Sequence, residues 1–313
     1  MDSTGRGWNE SRIHRWLLKT LRPRGLAAEY GHDAATLSRV LRRPVVCVDQ
    51  CIEGVHYLQG TSARLVGAKA AARALSDLAA SAAQPRALLL SASFPPTARE
   101  PWIRAAILAV ARAAREVDAE LVGGDLACSV GPAVLAVTAL GELGPGARAP
   151  SRDQVRAGDI LFSTGPLGGS FLGRHLKIEP RLGAGRWLWQ QGARAMTDLS
   201  DGLARDVARL AARSGVGIDI EHVPIHRDSR RASRRSGQSA LEHALYDGED
   251  HELVVALEPT LARRLAARSK IHAPGLTRIG RAYAGRGVRA PRSEDSESLQ
   301  ALDPRRGWNH GQP

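Results

Sequence analysis

The sequence predicts an α/β protein of two halves, and three observations support this. Short apolar runs with strand character alternate along the chain with apolar patterns of helical spacing. A stretch rich in Gly and Pro, residues 144–150, divides the chain near its middle and is the best linker candidate. The length of 313 residues suits two domains of ordinary size. We expect an N-terminal tail and helix over 1–27, a first domain over 28–146 and a second over 147–313.

The elements follow from where each apolar pattern begins and ends. In the first half, period-3.6 patterns indicate helices, and short apolar runs that end at Gly, Pro or Asp indicate strands. The predicted elements there are a helix within 1–30, a buried strand at 45–48, an Ala-rich helix at 64–83, a strand at 87–92, a helix at 100–115 and strands at 119–122 and 134–140.

The second half continues the alternation. Its predicted elements are a strand at 159–164, a strand end and helix start around 195–203, strands at 217–220 and 254–257, a helix at 260–269 and a strand at 277–281. The polar, Arg-rich segment 227–239 predicts a solvated loop, and the region after about residue 285 predicts a flexible end.

Composition narrows the class of protein. The apolar fraction of 43% supports a core, and with 4% aromatics that core is built from aliphatic side chains. The sequence contains no run of about 18 apolar residues, so it predicts no membrane span. Residues 1–6 lack the pattern of a signal peptide. Three cysteines, Cys47, Cys51 and Cys128, have no metal-site spacing. We therefore expect a cytoplasmic protein with no membrane partner.

The net charge of +12 raises the possibility of nucleic-acid binding. The Arg residues are spread along the chain, however, and neither zinc-finger spacing nor a ladder of stacking aromatics accompanies them. We expect no nucleic-acid partner. An anionic small substrate would gain from the same positive field.

Acidic turns beside apolar runs are the main chemical signal. The strongest is 195–203, where Asp198, Ser200 and Asp201 stand between a strand end and a helix start. Such oxygens suit Mg²⁺, which takes few carboxylates together with water and phosphate oxygens; alternatively, they cap the helix. Similar turns recur at Asp33, Asp49, Asp77 and Asp125, and Asp77 lies inside a helical pattern, where capping does not explain it.

Several acids that converge would repel one another unless cations neutralise them. A cluster of Mg²⁺ ions bound to a polyphosphate is the simplest explanation of the set. Two other features leave alternatives open. The Gly-rich turn 165–170 either cradles an anion or makes a tight connection, and His56 is either a substrate partner or a core histidine.

Taken in order, these turns resemble those of the thiamine-monophosphate kinases, in the superfamily of aminoimidazole-ribonucleotide synthetase and selenophosphate synthetase. The resemblance spans roughly residues 28–310. The segments that carry it are Gly31-His32-Asp33-Ala34-Ala35, Asp49 with Glu53-Gly54-Val55-His56-Tyr57, Leu75-Ser76-Asp77, Gly123-Gly124-Asp125, Thr164-Gly165-Pro166-Leu167-Gly168, Asp198-Leu199-Ser200-Asp201-Gly202, Gly248-Glu249-Asp250-His251-Glu252-Leu253 and Arg306-Gly307-Trp308-Asn309-His310.

The resemblance implies a homodimer of two-domain subunits that meet through their N-terminal mixed sheets. It implies ATP and several Mg²⁺ ions, with direct in-line transfer of the γ-phosphoryl group to thiamine monophosphate and no catalytic side chain beyond positioning and metal. By position, the resemblance implies that Mg²⁺ is bound by Asp49, Asp77, Asp125, Asp198 and Asp201, with His32 and Cys47 at two further metal positions. It implies likewise that ATP is bound by Gly124, Asp125, Arg152 and Ser200. The thiamine substrate would be bound by His56 and Glu249.

Departures from the family pattern fall on the metal positions. His32 replaces an acid, and imidazole is a poorer Mg²⁺ ligand than carboxylate. Cys47 and Val48 stand where hydroxyl residues are usual, and Ala74 replaces an Asn. Two alternatives therefore stand beside the kinase. One is an ATP-dependent kinase or ligase of the same fold with another substrate, and the other is a non-catalytic nucleotide-binding relative.

Overall fold

A computed structural model describes residues 8–21, 34, 35, 37, 41–146, 148–265 and 269–308. Predicted ligand position His32, with the turn at 31–33, and His310 of the closing motif lie outside these residues. The chain forms two compact units, called here the N-terminal unit (Met1–Leu78 with Ala83–Gly144) and the C-terminal unit (Ala79–Ala82 with Pro145–Pro313). The domain boundaries drawn from the sequence, 28–146 and 147–313, stay a prediction.

The N-terminal unit packs helices on one face of a mixed sheet. Its elements are α1 (Glu10–Thr20), β1 (Pro44–Ile52), α2 (Ala63–Ala80), β2 (Gln84–Phe94), α3 (Glu100–Glu116), β3 (Glu120–Cys128) and β4 (Val134–Glu142). The strands lie in the order β1-β4-β2-β3. β4 pairs antiparallel with β1 and with β2, and β3 pairs parallel with β2.

The two faces of this sheet differ in burial. Residues that alternate along the strands, such as Leu88, Leu135 and Val137, are fully buried, whereas the opposite face leaves Val46 and Val48 68% and 63% exposed. The period of two along β1 produces this contrast. The strand predicted at 45–48 is therefore longer than expected and buried on one side only.

The C-terminal unit is built on a larger mixed sheet. Its elements are β5 (Ile160–Ser163), α4 (Leu182–Gln190), β6 (Ala195–Asp198), α5 (Leu203–Ser214), β7 (Gly217–Ile220), α6 (Arg227–Ser236), α7 (Ala240–Tyr246), β8 (Leu253–Leu257), α8 (Pro259–Leu265), α9 (Ser269–His272), β9 (Thr277–Tyr283), β10 (Val288–Pro291) and β11 (Leu299–Ala301). The strand order is β11-β10-β7-β9-β5-β8-β6.

The core of the C-terminal unit explains its strand pattern. β6, β7 and β8 are buried along their whole length, and β8 is a continuous apolar run rather than an alternating one. The apolar stripe of α5, with Leu203, Val207 and Leu210, packs into the same core. This packing fixes the strand β6 and the helix α5, which flank the acidic turn.

The structure corrects two expectations about the second half. The Arg-rich segment predicted as a loop forms α6, whose inner side buries Ser229 and Ala232. The region after 285, predicted to be flexible, contains β10 and β11, and β10 pairs parallel with β7. Both segments are ordered by partners distant in sequence.

The mixed α/β architecture confirms the predicted fold class. Within the described ranges, no helix combines the length and apolar character needed to cross a membrane.

Candidate active site

The acidic turn of the C-terminal unit joins β6 to α5 through backbone that needs glycine. Asp198 ends β6, and Asp201 precedes Gly202, whose φ is +102°. A Cβ on Gly202 would lie 3.1 Å from the carbonyl oxygens of Leu245 and Tyr246. Both the backbone angle and the close approach of this neighbouring chain favour glycine, so the Gly of the motif has a structural reason.

A second segment, the acidic loop (residues 248–252), lies along this turn. Glu249 N donates to Ser200 O at 2.8 Å, and His251 N donates to Leu199 O at 2.8 Å. Glu249 and His251 adopt left-handed φ values of +55° and +52°, which are uncommon outside glycine. The acidic loop is therefore held in a defined shape against the turn, and this brings Glu249 beside Ser200.

Three carboxylates crowd the start of α5. Asp206, which is buried, accepts a hydrogen bond from Asp201 N at 2.9 Å. Burial, together with the negative charges of Asp201 and Asp198, raises the pKa of Asp206 to about 7. Such a concentration of negative charge is what a bound cation relieves.

His251 lies buried between two acids of this site. Its Nδ1 is 3.5 Å from Asp198 Oδ2, and its Nε2 is 3.8 Å from Glu249 Oε2. Burial by itself lowers the pKa of His251, but the carboxylates of Asp198 and Glu249 outweigh it and raise the pKa to about 9. The imidazolium form holds the turn and the acidic loop together electrostatically.

Arginines approach the same acids from other segments. Arg152 Nε donates to Thr197 Oγ1 at 2.9 Å, and Arg152 Nη2 lies 3.7 Å from Asp198 Oδ1. The Arg152 side chain is 43% exposed, which leaves part of its guanidinium open to an anion. Arg209 forms an ion pair with Asp201.

The Gly-rich turn predicted either to cradle an anion or to make a tight connection does the latter. Gly168 N donates to both carboxylate oxygens of Asp250 at 3.0 and 3.1 Å, and Gly169 N donates to Asp247 Oδ2 at 2.9 Å. Arg174 in turn pairs with Asp250 at 2.8 Å. Protein carboxylates thus occupy the N–H groups that an anion would need.

In the N-terminal unit, Asp49 points toward the helices rather than toward solvent. Its partner in β4 is Val137, which lies opposite Leu90 of β2, and both residues are buried. On this side Arg73 Nη2 lies 2.9 Å from Asp49 Oδ1. Asp49 therefore already has a cationic partner from the protein.

Asp125 and Gly124 lie on β3, at the other edge of this sheet. β1 and β3 are separated by β4 and β2, or three strand spacings of roughly 4.8 Å. Asp125 is opposite Ser91 and is exposed on the face that the helices leave uncovered. Within this unit the structure does not bring Asp49 and Asp125 together.

Asp77 and Cys47 lie on the helix-covered side. Asp77 lies within α2 and is half-buried, as its position in the helical pattern predicts. Cys47 Sγ lies 3.2 Å from Ala74 O and 3.9 Å from Ala139 O. This geometry suits a protonated thiol that donates to backbone carbonyls, and Mg²⁺ prefers oxygen ligands, so it does not support Cys47 as a ligand.

His56 has the contacts of a core histidine. It is 5% exposed, and its Nδ1 accepts a hydrogen bond from Ile52 N at 3.0 Å. Its carbonyl accepts from Lys69 Nζ at 2.7 Å, and Lys69 is itself buried. The ring fixes the loop after β1, and a substrate role for His56 stays a prediction.

The predicted residues of the C-terminal unit meet in one place. Asp198, Ser200 and Asp201 lie in the turn, and Glu249 lies in the acidic loop that packs on it. Arg152 reaches Thr197 and Asp198 from another segment. Three residues with a role at these acids, His251, Asp206 and Arg73, were not predicted from the sequence. His251 was inside a quoted motif, Asp206 is in the first turn of α5, and Arg73 lies four residues from both Lys69 and Asp77 on α2.

The predicted acids differ in how well they fit magnesium. In the portion of the chain that the structure describes, no three His, Cys, Asp or Glu side chains gather closely enough to hold a metal ion alone. Mg²⁺ commonly binds through one or two carboxylates, waters and substrate phosphates. Asp198 and Asp201, in their crowded acidic turn, fit an ion shared with a polyphosphate, because the Arg209 partner of Asp201 is exposed. Asp49 does not fit, because its Arg73 partner is buried.

Comparison with known proteins points to one family. The models of AIR synthase related protein match this chain with the N-terminal domain over residues 31–143 and the C-terminal domain over residues 132–291.

Named relatives and a solved complex agree with this match. The thiamine-monophosphate kinase of Rhodopirellula baltica is 36% identical over 221 residues, or 69% of each chain. That of Bacillus subtilis is 29% identical and covers 95% of this chain and 98% of its own. The structure of AaThiL complexed with AMPPCP and TMP is similar with a TM-score of 0.72 and 28% identity, covering 85% of this chain and 87% of that one.

Proposed function

This chain belongs to the thiamine-monophosphate kinase family, within the AIR synthase related proteins, and on that premise we propose that it phosphorylates thiamine monophosphate with ATP. The β,γ-bridging P–O bond of ATP breaks as an oxygen of the acceptor phosphate bonds to the γ-phosphorus, so the products are thiamine diphosphate and ADP. The observation that carries this function is the similar AaThiL complex with AMPPCP, an ATP analogue, and TMP.

The chemistry needs positioning and charge neutralisation more than a nucleophilic side chain. The acceptor phosphate is largely ionised at neutral pH, since its second pKa is about 6, so a strong general base is unnecessary. What the protein must supply is a place where two polyanions approach in line. The basic net charge of +12 favours their approach.

In the C-terminal unit, we assign Asp198 and Asp201 as ligands of Mg²⁺ and Ser200 and Arg152 as contacts of ATP. When bound, Mg²⁺ would neutralise phosphate charge and hold the reacting groups in register. The turn before α5 orients the two acids, and His251 and the acidic loop restrict their movement. Arg152, part of whose guanidinium is exposed, suits a phosphate oxygen.

The N-terminal unit carries further predicted ligands. We assign Asp77 and Asp125 to magnesium and the Gly124–Asp125 strand to ATP. A Cβ at Gly124 would come within 1.9 Å of Leu90 O, so the absence of a side chain is needed for the close pairing of β2 and β3. For the thiamine substrate we keep His56 and Glu249, of which Glu249 lies beside Ser200.

A homodimer accounts for the uncovered face of the N-terminal sheet. Val48 and Leu89 lie in one cross-strand row with Thr138 on this face, and both apolar side chains are exposed. Exposed contiguous apolar surface commonly marks an interface. If two copies paired through this face, Asp125 would lie in the interface and Asp49 would not.

One observation favours the alternative of a non-catalytic nucleotide-binding relative. Protein cations pair with predicted ligands in both units, through Arg73 at Asp49 and Arg209 at Asp201. Such a protein would bind ATP without turnover. We expect either protein to act in the cytoplasm. The three free cysteines, Cys47, Cys51 and Cys128, suit such a reducing compartment.

The deciding experiment is thiamine diphosphate formation from ATP and thiamine monophosphate, titrated with Mg²⁺. We expect one thiamine diphosphate per ADP and no turnover without divalent metal. Thiamine without its phosphate is the matched control acceptor and should give no product. Mg²⁺-dependent ATP binding without thiamine diphosphate would contradict the kinase and support the non-catalytic relative or another acceptor.

A further inference from the structure

Arg73 is a buried cation that pairs with Asp49 in the N-terminal unit. The two side chains are 7% and 25% exposed, and Arg73 Nη2 lies 2.9 Å from Asp49 Oδ1. The same oxygen accepts a hydrogen bond from Gln50 N at 2.7 Å. Oδ1 of Asp49 therefore already has two donors, one of which carries a permanent charge.

The helical spacing of α2 places Arg73 there. Lys69, one turn earlier on the same side of the helix, reaches His56 O with its Nζ at 2.7 Å. Residues 69–76 of α2 are all buried, so packing surrounds the guanidinium. Its position next to Asp49 is built into the core and is not a chance surface contact.

A divalent cation at Asp49 would have to stand beside this guanidinium. Like charges repel more strongly in a buried environment than in water. The neighbouring Cys47 offers a sulfur that is directed at the carbonyls of Ala74 and Ala139, whereas Mg²⁺ needs oxygen ligands in near-octahedral geometry. Asp49 is thus poorly suited to bind a second, mobile cation.

We propose that Arg73 is a positioning residue that takes the place of a divalent cation at Asp49. Its guanidinium fixes the carboxylate and supplies permanent positive charge, so Asp49 is not a metal ligand in this protein and fewer divalent ions are needed. The inference rests on the proposed function, because it concerns the metal requirement of that same site.

The first test counts bound Mn²⁺, measured by electron paramagnetic resonance on the full chain with AMPPCP and without turnover. We expect Asp49→Asn to bind the same number of Mn²⁺ ions as the native chain. Asp219→Asn, which removes another buried acid paired with an arginine, Arg289, is the matched control. Loss of one Mn²⁺ equivalent in Asp49→Asn but not in Asp219→Asn would overturn the proposal.

The second test separates a charge role from a merely structural one. Arg73→Met should need at least roughly tenfold more Mg²⁺ for half-maximal turnover, the size of one ordinary charge interaction, and high Mg²⁺ should restore its rate. Arg73→Lys, which keeps the charge, should need less Mg²⁺ than Arg73→Met. A rate that Mg²⁺ does not restore would overturn the charge role. Should Arg73→Met fail to fold, the Mn²⁺ count of Asp49→Asn decides alone.

The two proposals fail in different ways. If the native chain makes no thiamine diphosphate but Asp49→Asn keeps its Mn²⁺ count, the kinase assignment is wrong and the inference about Arg73 holds. If the native chain makes thiamine diphosphate and Asp49→Asn loses a bound ion, the assignment holds and the inference is wrong.

Discussion

Asp198 and Asp201 stand three residues apart at the same turn, yet their surroundings differ. Asp198 is 4% exposed and lies between His251 and Arg152, whereas Asp201 is nearer the surface and pairs with Arg209. The first acid is held by buried partners, and the second can exchange an exposed arginine for a metal ion at lower cost.

This difference leads to a prediction for Asp198→Asn. Removing its charge leaves an amide of similar shape beside His251 and should lower thiamine diphosphate turnover on the order of 100-fold or more, as loss of an electrostatic contact at a reacting centre does. The measurement is the steady-state rate at saturating ATP. Asp219→Asn is the control, and equal rates for both variants would contradict the assignment of Asp198.

The buried Asp250 should make the free energy of unfolding depend on pH. Burial raises the pKa of Asp250 to about 6, although Arg174 opposes the shift. Because this pKa exceeds the ordinary value of 3.8, the protonated carboxyl favours the folded state. That contribution is full below about pH 4 and is lost as the pH rises through about 6.

We therefore expect Asp250→Asn to lose part of the fall in unfolding free energy between pH 4 and pH 6. Urea denaturation at several pH values, without metal or nucleotide, measures this slope. Asp295→Asn, which removes an exposed acid, should leave the slope nearly unchanged. An identical slope in Asp250→Asn and the native chain would show that Asp250 does not titrate in this range.

At the scale of the elements, the acidic loop and the Gly-rich turn support each other. Asp250 binds Gly168 N, and Glu252 accepts hydrogen bonds from Thr164 Oγ1 at 2.6 Å and from Arg181 at 2.6 and 2.9 Å. These contacts satisfy buried carboxylates that would otherwise be unpaired. The acidic loop, which resembles a substrate-binding segment, therefore also has a structural role.

Substitution of Gly168 tests whether the tight packing of the Gly-rich turn contributes to stability. Its φ is +86°, and a Cβ would lie 2.5 Å from Ala244 N. We expect Gly168→Ala to lower the unfolding free energy by roughly 3 kcal/mol or more, since backbone strain and a clash with backbone atoms combine.

The matched control for Gly168 is Gly237. It has a similar φ of +77°, but a Cβ there would meet nothing within 4 Å. Gly237→Ala should lose only about 1 kcal/mol, the value of the backbone conformation alone. Urea denaturation measures both, and equal losses would mean that the approach of α7 to the turn does not constrain Gly168.

The helix α6 was not predicted from the apolar pattern of the sequence. Its sequence, Arg227–Ser236, carries almost no apolar residues, so a solvated loop was expected. The helix is stabilised locally, because His226 Nδ1 accepts from Asp228 N at 3.0 Å, and through packing, because Ser229 Oγ donates to Ala240 O at 2.5 Å. A short inner stripe of small residues is enough for burial against α7.

At the scale of the whole molecule, the uncovered sheet face predicts the oligomeric state. Val48→Asp places a charge on this face, where Val48 is 63% exposed, and should convert a dimer into a monomer with little effect on folding. Sedimentation velocity at micromolar concentration measures the mass.

The control for Val48 is Val130→Asp. Val130 is 99% exposed between β3 and β4, so a charge there should leave the dimer intact. A native chain that sediments as a monomer at tens of micromolar, or a Val48→Asp variant that stays dimeric, would contradict the proposed interface.

The sequence by itself determined the features that depend on neighbouring residues. The turn from β6 to α5 follows from an apolar run, two acids and Gly202. The helix α2 and the position of Asp77 within it follow from apolar spacing, and the mixed α/β class follows from the alternation of both patterns. These are local signals, because periodicity and turn chemistry act within about a dozen residues.

Only the tertiary structure decided which distant residues meet. It paired Arg73 with Asp49, placed His251 between Asp198 and Glu249, and put Asp49 and Asp125 on opposite faces of one sheet. It also ordered β10 through its pairing with β7. Burial and charge depend on strand register and on which face a helix covers, and residues far apart in the chain set both.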